Sequence, residues 1–248
     1  MVVENSYYYF QSVLSPEICQ KIIHLGLSKI PENATTAGYT SKGDNPDARP
    51  QEDKTVEDLT RETGLSVKEI DKKAYIRDSK VSWLDDPWLY DTILPWINKA
   101  NKDAGWKYDL EYNESFQFTV YEPGGFYGWH SDGGGDHNAK YKRYIPGVDL
   151  LDEKGKMPRG YTDNDKMVGL VRKISCTINL NNPGEYMGGN LKFDFGPHSH
   201  TERYHECEEI RPQGSIVVFP SFVHHQVTPI TKGTRYSLVL WALGRPFK

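Results

Sequence analysis

The chain has 248 residues, of which 37% are hydrophobic, 12% aromatic and 26% charged. That is room for a sizeable core, and 16 Tyr, 9 Phe and 6 Trp argue against a disordered chain. Lys plus Arg is 30 and Asp plus Glu is 34, so a net charge of −4 gives no general attraction to nucleic acid or to an anionic membrane.

No apolar run approaches the roughly 18 residues that span a bilayer. The opening Met1-Val2-Val3-Glu4-Asn5-Ser6 has no basic region and leads into Tyr7-Tyr8-Tyr9-Phe10, which reads as a first strand rather than a signal peptide. Ser15-Pro16 is a helix start, an N-cap followed by proline, with Ile18, Ile22 and Leu25 on one face and an end near Gly26. Residues 31–60 carry Pro31, Pro46, Pro50, Gly38 and Gly43 among many charges and read as a long loop. Asp86-Pro87 opens a second helix, with Leu89, Ile93, Trp96, Ile97 and Ala100 inward and a kink expected at Pro95.

From about residue 108 the pattern changes to strands. Over 115–121, Phe116, Phe118 and Val120 alternate with Gln117, Thr119 and Tyr121. Over 173–179, Ile174, Cys176 and Ile178 oppose Ser175, Thr177 and Asn179. Further strands are predicted at Leu191 to Phe195, Ser215 to Phe219 and Thr234 to Trp241. Short strands with Gly and Pro turns predict a mainly β fold with supporting helices, a sandwich, jelly roll or barrel. The domain organisation expected is one domain over 1–248: a helix-rich support at 1–107, then a β core at 108–244 interrupted by a loop insertion at 133–171. That insertion opens with Gly133-Gly134-Gly135 and reads as a functional loop or lid, or as a loop packed against the helices through Tyr141, Tyr144 and Ile145. Cys19, Cys176 and Cys207 contain no CxxC pair, which argues against a disulfide framework or a Cys-rich zinc site. The reading is a soluble cytoplasmic protein, with no membrane and no nucleic acid as partner.

The sharpest chemical feature is His130-Ser131-Asp132 at a strand end. An imidazole and a carboxylate two residues apart can take adjacent corners of one metal's coordination sphere, as in the two-His, one-carboxylate iron sites. Taken alone the pair could equally be a turn in which Asp132 caps an amide. A third ligand is available from His224 or His225, after another apolar strand. Arg235 follows His225 by ten residues, on the less apolar face of the last strand with Ser237, Val239 and Trp241. Tyr121 lies on a polar strand face as well. A buried arginine and a phenol suit the far carboxylate of a dicarboxylic acid, whereas a surface strand arginine is the plain alternative. His198, His200 and His205 form a second cluster, read as solvated loop histidines because no carboxylate or Cys accompanies them.

Together, Tyr121-x-x-Gly-Gly-x-Tyr127-x-x-His130-x-Asp132, the stretch from Ile174 to Leu191 with its Gly188-Gly189-x-Leu, and Phe219-Pro220-Ser221 through His225-x-Val-x-Pro229 to Arg235 resemble the iron(II)/2-oxoglutarate oxygenases of the prolyl 4-hydroxylase type, in particular the bacterial and phage PKHD-type hydroxylases. The resemblance covers residues 108–244 and is loose before them. It implies a double-stranded β-helix, a jelly-roll core. It implies His130, Asp132 and His225 as iron ligands, His225 being preferred to His224 because His-x-Val-x-Pro is the family arrangement. It implies Arg235 on the distal carboxylate of 2-oxoglutarate with Tyr121 assisting, and Asn179 touching the co-substrate. Tyr127, Trp129 and Trp241 are substrate contacts on this reading and core aromatics on the plain one. The activity implied is hydroxylation of a C–H bond, prolyl or other, in a peptide or protein, using Fe(II), 2-oxoglutarate and O2, with ascorbate as reductant. The same chemistry on a free amino acid or other small metabolite is the alternative, and a jelly roll that binds a ligand without turnover is the remaining one.

Overall fold

The computed structural model describes residues 5–34, 77–135, 138–151, 155, 157–158, 160–196 and 203–247. Most of the segment read as a long loop, and His198 and His200 of the histidine cluster, lie outside the described residues.

Two helices cover one face of the larger sheet. Helix α1 (Pro16–Ser28) starts where the cap pattern places it, with Ser15 Oγ accepting from the Ile18 N–H at 3.4 Å. Cys19, Ile22, Ile23 and Gly26 are its buried residues, so the buried face is turned slightly from the predicted one and Ile18 and Leu25 sit at its margin. Gly26 lies so close to the Phe118 ring that a methyl group there would collide with it. Helix α2 (Pro87–Asp103) buries Leu89, Ile93, Ile97 and Ala100, with Trp96 half-buried beside them. The helix continues through Pro95, which points to solvent.

The larger sheet holds β1 (Tyr8–Phe10), β2 (Glu32–Asn33), β4 (Lys80–Leu84), β5 (Tyr112–Asn113), β6 (Phe116–Tyr121), β10 (Val171–Asn179), β14 (Ile216–Pro220) and β17 (Arg235–Gly244). Its order is β1-β14-β10-β17-β6-β4-β2, with β5 on the end of β17, and β11 (Tyr186–Gly188) and β16 (Ile230–Gly233) pair as a separate ladder. The smaller sheet is β13-β12-β15-β7-β3, built from β3 (Arg77–Asp78), β7 (Phe126–His130), β12 (Leu191–Asp194), β13 (Tyr204–Glu206) and β15 (His224–Val227). The pairings within both sheets are antiparallel, and the two stack as the jelly roll that the turn-punctuated strands predict. Period-two alternation decides the layering. Phe116, Phe118, Ile174, Cys176, Ile178, Leu238 and Leu240 face the helices and form the main core with Ile22, Leu89, Ile93 and Ile97. The opposite faces of the same strands are also buried, but they carry Gln117, Thr119, Ser175, Arg235 and Ser237. A polar interior between two sheets is a place for a ligand, because buried polar groups need partners.

Two expectations change. The division at residue 108 is not kept: β1, β2 and β4 extend the larger sheet and β3 pairs with β7, so the N-terminal third supplies strands as well as helices. Such two- to five-residue strands carry too few residues for alternation to show. Within 133–171, β8 (Lys142–Arg143) and β9 (Tyr161–Thr162) form a parallel ladder, and Tyr141 is tied to Leu170 by its backbone and to Glu114 by its hydroxyl. The described part of the insertion is therefore anchored through Tyr141, while Ile145 is exposed. Cys19, Cys176 and Cys207 are free and buried. Among the described residues no helix is long and apolar enough to cross a membrane.

Candidate metal centre

His130 ends β7, Asp132 follows it, and His225 lies on the neighbouring β15 directly opposite His130. Regular alternation would put Tyr127 and His130 on opposite faces. It does not, because the register shifts: His225 faces His130 while Val227 faces Tyr127, so three steps on β7 match two on β15. This β-bulge turns His130 into the space between the sheets, with the Tyr127 ring stacked on it at 3.5 Å. Trp129 is turned the other way and packs on Tyr204, 5.2 Å between ring centres. It does not line the cavity, unlike Tyr127 and Trp241.

The three side chains converge. One ligand atom from each of His130, Asp132 and His225 lies within 4.8 Å of the others. His130 Nε2 is 3.6 Å from Asp132 Oδ1, and His225 Nε2 is 3.6 Å from Asp132 Oδ2. Both imidazoles have Nδ1 on a backbone carbonyl, Gly128 O at 2.8 Å and Val223 O at 3.0 Å. A carbonyl only accepts, so Nδ1 carries the hydrogen and each Nε2 offers its lone pair inward. That is the tautomer a metal ligand needs, fixed before any metal arrives. His224 is exposed on the other face of β15, across from Asp194, and so is not the third ligand of this cluster.

Protonation follows the same logic. Burial pushes the His225 pKa down to about 4, and His130 adds to this while Asp132 partly opposes it. For Asp132, burial alone would raise the pKa, but His225, His130 and Arg172 outweigh it and hold the carboxyl well below the usual range. At neutral pH Asp132 is therefore an anion and His225 a neutral imidazole. The linkage has a definite sign. An unfolded chain protonates His225 near 6.5 and the folded one only near 4. Between these values the unfolded state binds more protons, so the contribution is fully present above about 6.5 and is lost as pH falls. Metal-stripped protein should lose up to about 3 kcal/mol of unfolding free energy over that window from this residue. Denaturant melts at stepped pH check this, and a His225→Gln variant with an unchanged pH slope would contradict it.

Asp132 is held from behind. Ser175 Oγ donates to Asp132 Oδ2 at 2.7 Å and lies 3.0 Å from Ser221 Oγ. The Asp132 and Gly133 N–H groups both donate to Ser221 O, at 3.0 and 2.9 Å. Ser221 thus ties the two ligand-bearing segments together. Ser175→Ala should weaken metal affinity by about 10–100-fold, the usual effect of losing a partner that orients a ligand. Calorimetric titration with Mn(II) reads this directly, and an affinity equal to that of the native chain would show that Ser175 does not orient the carboxylate.

Arg235 sits at the opposite end of the same cavity, beside Tyr121, its register partner across β17 and β6. Its side chain is 2% exposed and its Nε has no hydrogen-bond partner among the described residues. Its Cζ lies 5.4 Å from the centre of the Tyr121 ring, and no carboxylate among the described residues pairs with it. A buried guanidinium without an anion is costly unless a ligand brings one. Gly189 shapes the space around it, and Gly188 before it packs on the Pro229 backbone. Both have positive φ, and a Cβ on Gly189 would meet Ile230 and come within 3.0 Å of Arg235 Cδ. Asn181 braces the entry to β17 through Thr234 O and the Tyr236 N–H.

Of the remaining expected residues, Tyr127 and Trp241 line the cavity. Trp241 has a buried Nε1 without a partner among the described residues and stacks on Arg172 at 3.8 Å. Asn179 is fully buried but spent on structure: its Nδ2 donates to Asn181 O and Arg211 O, and its Oδ1 accepts from Tyr186. It does not line the cavity. His205 pairs with the Tyr7 hydroxyl at 2.9 Å, a packing role. Four residues escaped the sequence reading. Ser175 could have been found, since it shares the polar face of its strand with Thr177. Arg77, on the cavity wall with Ser79 and Gln117 as partners, follows a segment without periodicity. Glu114 and Arg172 form a bidentate pair at 2.6 and 2.7 Å that only the tertiary fold brings together.

A jelly roll with two histidines and an aspartate at one end of its inter-sheet cavity and a lone arginine at the other is the architecture of a metal-dependent oxygenase. The sequence comparison agrees. The family model described as the 2OG-Fe(II) oxygenase superfamily matches residues 116–243, and the chain belongs to that superfamily. A PKHD-type hydroxylase of Stenotrophomonas maltophilia is 30% identical over 125 residues, 50% of this chain and 41% of that protein. One from Xylella fastidiosa strain M23 is 38% identical over 68 residues, 27% of this chain and 26% of that protein. The matched regions thus span between a quarter and about two fifths of these curated relatives. The fold is similar to that of the viral collagen prolyl hydroxylase of Paramecium bursaria Chlorella virus-1, with a TM-score of 0.53, 16% identity and 97% of each chain covered. A Pseudomonas putida prolyl-4-hydroxylase gives a TM-score of 0.53 and 18% identity, covering 97% of this chain and 93% of that one.

Proposed function

We propose that this chain is an Fe(II)- and 2-oxoglutarate-dependent dioxygenase that hydroxylates a prolyl residue in a peptide or protein. The observation that carries the reading is the pairing, across one buried cavity, of the His130–Asp132–His225 cluster with the uncompensated Arg235 cation. The donor set fits Fe(II): two neutral imidazole nitrogens and one carboxylate, leaving positions open for other ligands. The Arg235 end fits a dicarboxylate, because the guanidinium can take its distal carboxylate with charge-assisted bonds and Tyr121 stands beside it.

Each residue then has a role at a stated atom. His130 and His225 bind through Nε2, with Nδ1 fixed on backbone carbonyls. Asp132 supplies the negative charge that offsets the metal's, and Ser175 holds its Oδ2 in place. Arg235 orients 2-oxoglutarate. Leu191, Phe219 and Val227 wall the cavity and exclude water. Tyr127 and Trp241 line the same cavity as the metal-binding side chains, which supports them as substrate contacts. When bound, Fe(II) and 2-oxoglutarate supply O2 activation, so that one oxygen atom enters the substrate C–H bond and the other enters succinate as CO2 is released. Ascorbate would be the reductant that keeps a bound iron ferrous.

The relatives, PKHD-type hydroxylases, support hydroxylation, and the structural neighbours, prolyl hydroxylases, support proline as the target. The test is succinate release from purified protein with Fe(II), 2-oxoglutarate, ascorbate and proline-containing peptides, with the peptide mass followed in parallel. Peptide-stimulated succinate with a gain of one oxygen on proline is the expected result. Stimulation by free amino acids and not by peptides would move the substrate to a small molecule.

A further inference from the structure

A second cavity of about 430 Å³ adjoins the first on the Asp132 side, within the range of ligand pockets. Its floor is Ser131 to Gly134, directly after the metal-binding strand end, and its wall is built by the insertion: Lys140, Tyr141 and Lys142 on one side, Gly160 and Tyr161 on the other. The wall is fixed in place. Tyr141 N–H donates to Leu170 O and Gly169 N–H to Tyr141 O, both at 2.9 Å, while the Tyr141 hydroxyl donates to Glu114 at 2.8 Å. The β8–β9 ladder joins its two halves. Lys140 and Lys142 therefore flank an anchored residue rather than trailing on a free loop.

Among the described residues the charges do not balance. Arg172 lines this cavity but is neutralised by its bidentate pair with Glu114. Asp132 is the acid in the lining, and its charge belongs to the metal. Lys140 and Lys142 remain, both exposed; the Lys142 ammonium lies 5.8 Å from the Tyr161 ring, and neither forms an ion pair with a described carboxylate. Resting on the hydroxylase reading above, we infer that the cavity walled by Lys140, Tyr141, Lys142 and Tyr161 binds an acidic segment of the peptide substrate, flanking the residue that is oxidised. Two ammonium groups on flexible stems act as separate point charges, not as a fork for one carboxylate. They select for negative charge spread over neighbouring positions, which a run of Glu or Asp side chains provides and a single small acid does not. Charge selection at a half-open wall also weakens with salt.

The probes are three ten-residue peptides with a central proline flanked on both sides by Glu, Ala or Lys, titrated by fluorescence anisotropy into anaerobic protein loaded with Mn(II) and 2-oxoglutarate. Binding of the metal and of 2-oxoglutarate is measured first on the same sample, and its failure counts against the hydroxylase reading alone. With both bound, the Glu peptide should bind about tenfold more tightly than the Ala peptide and the Lys peptide more weakly still, the Glu preference shrinking at high salt. Lys140→Glu/Lys142→Glu should reverse the order of the Glu and Lys peptides. A misfolded variant would lose all three together, so reversal is specific to charge. Equal affinity for the three peptides, no binding of any, an order unchanged in the double variant, or displacement of the Glu peptide by equimolar free glutamate would each overturn the inference.

Discussion

Alanine at His130, Asp132 or His225 should abolish metal-dependent turnover and weaken metal binding beyond the about 10–100-fold that loss of an orienting partner produces. Asp132→Ala should be the most severe, because it removes the one anion of the cluster and leaves two imidazoles to face a divalent cation alone. Asp132→Asn separates charge from shape, since the amide keeps the volume and an oxygen for Ser175 to bond. His224→Ala should leave metal binding unchanged, as that ring is on the outer face of β15. Anaerobic titration with Co(II), followed by its ligand-field absorption, reports affinity and coordination together. A dead His224→Ala alongside an active His225→Ala would mean that the histidine facing the cavity is not the ligand.

Arg235→Met should raise the apparent KM for 2-oxoglutarate steeply while Co(II) still binds. Losing one partner of a buried charge pair costs about 2–5 kcal/mol, and each 1.4 kcal/mol is about tenfold, so the expected loss is about thirtyfold to several thousandfold. Arg235→Lys should fall between, because an ammonium keeps the charge and loses the two-point grip. A second readout guards against a folding artefact. Arg235 is a buried cation without an anion among the described residues, so replacing it by an apolar side chain of similar length should not lower the melting temperature of ligand-free protein. What should vanish is the upward shift that saturating 2-oxoglutarate gives the native chain. A lower melting temperature with the ligand-induced shift intact would instead mark Arg235 as a structural residue.

The parts of this site legible in the sequence are those that obey period two. Alternation over 116–121, 173–179 and 235–241 separates the helix-facing core from a polar interior, and it places Tyr121, Ser175, Arg235 and Trp241 on the cavity side. What alternation misses has physical causes. The bulge in β7 adds one residue, so Tyr127 and His130 share a face that spacing alone denies them, and Trp129 turns outward. Asn179 has the right strand parity, but the turn after β10 and the helical turn Glu208–Ile210 present carbonyls at Asn181 and Arg211, and its amide satisfies those instead of a ligand. Glu114 and Arg172 are 58 residues apart and meet only because β17 pairs with β10 on one side and with β5, next to Glu114, on the other. The strands β2 and β3 are two residues each and β4 five, too short to show a period.

The central claim is that one cavity holds a metal at the His130–Asp132–His225 end and 2-oxoglutarate between that metal and Arg235. Anaerobic calorimetric titration of 2-oxoglutarate into Fe(II)-loaded protein, repeated after removal of the metal with a chelator, tests it most directly. The expected result is one binding site per chain, with affinity falling sharply once the metal is gone. Binding of equal strength with and without metal, or no binding to the Fe(II)-loaded protein, would contradict it.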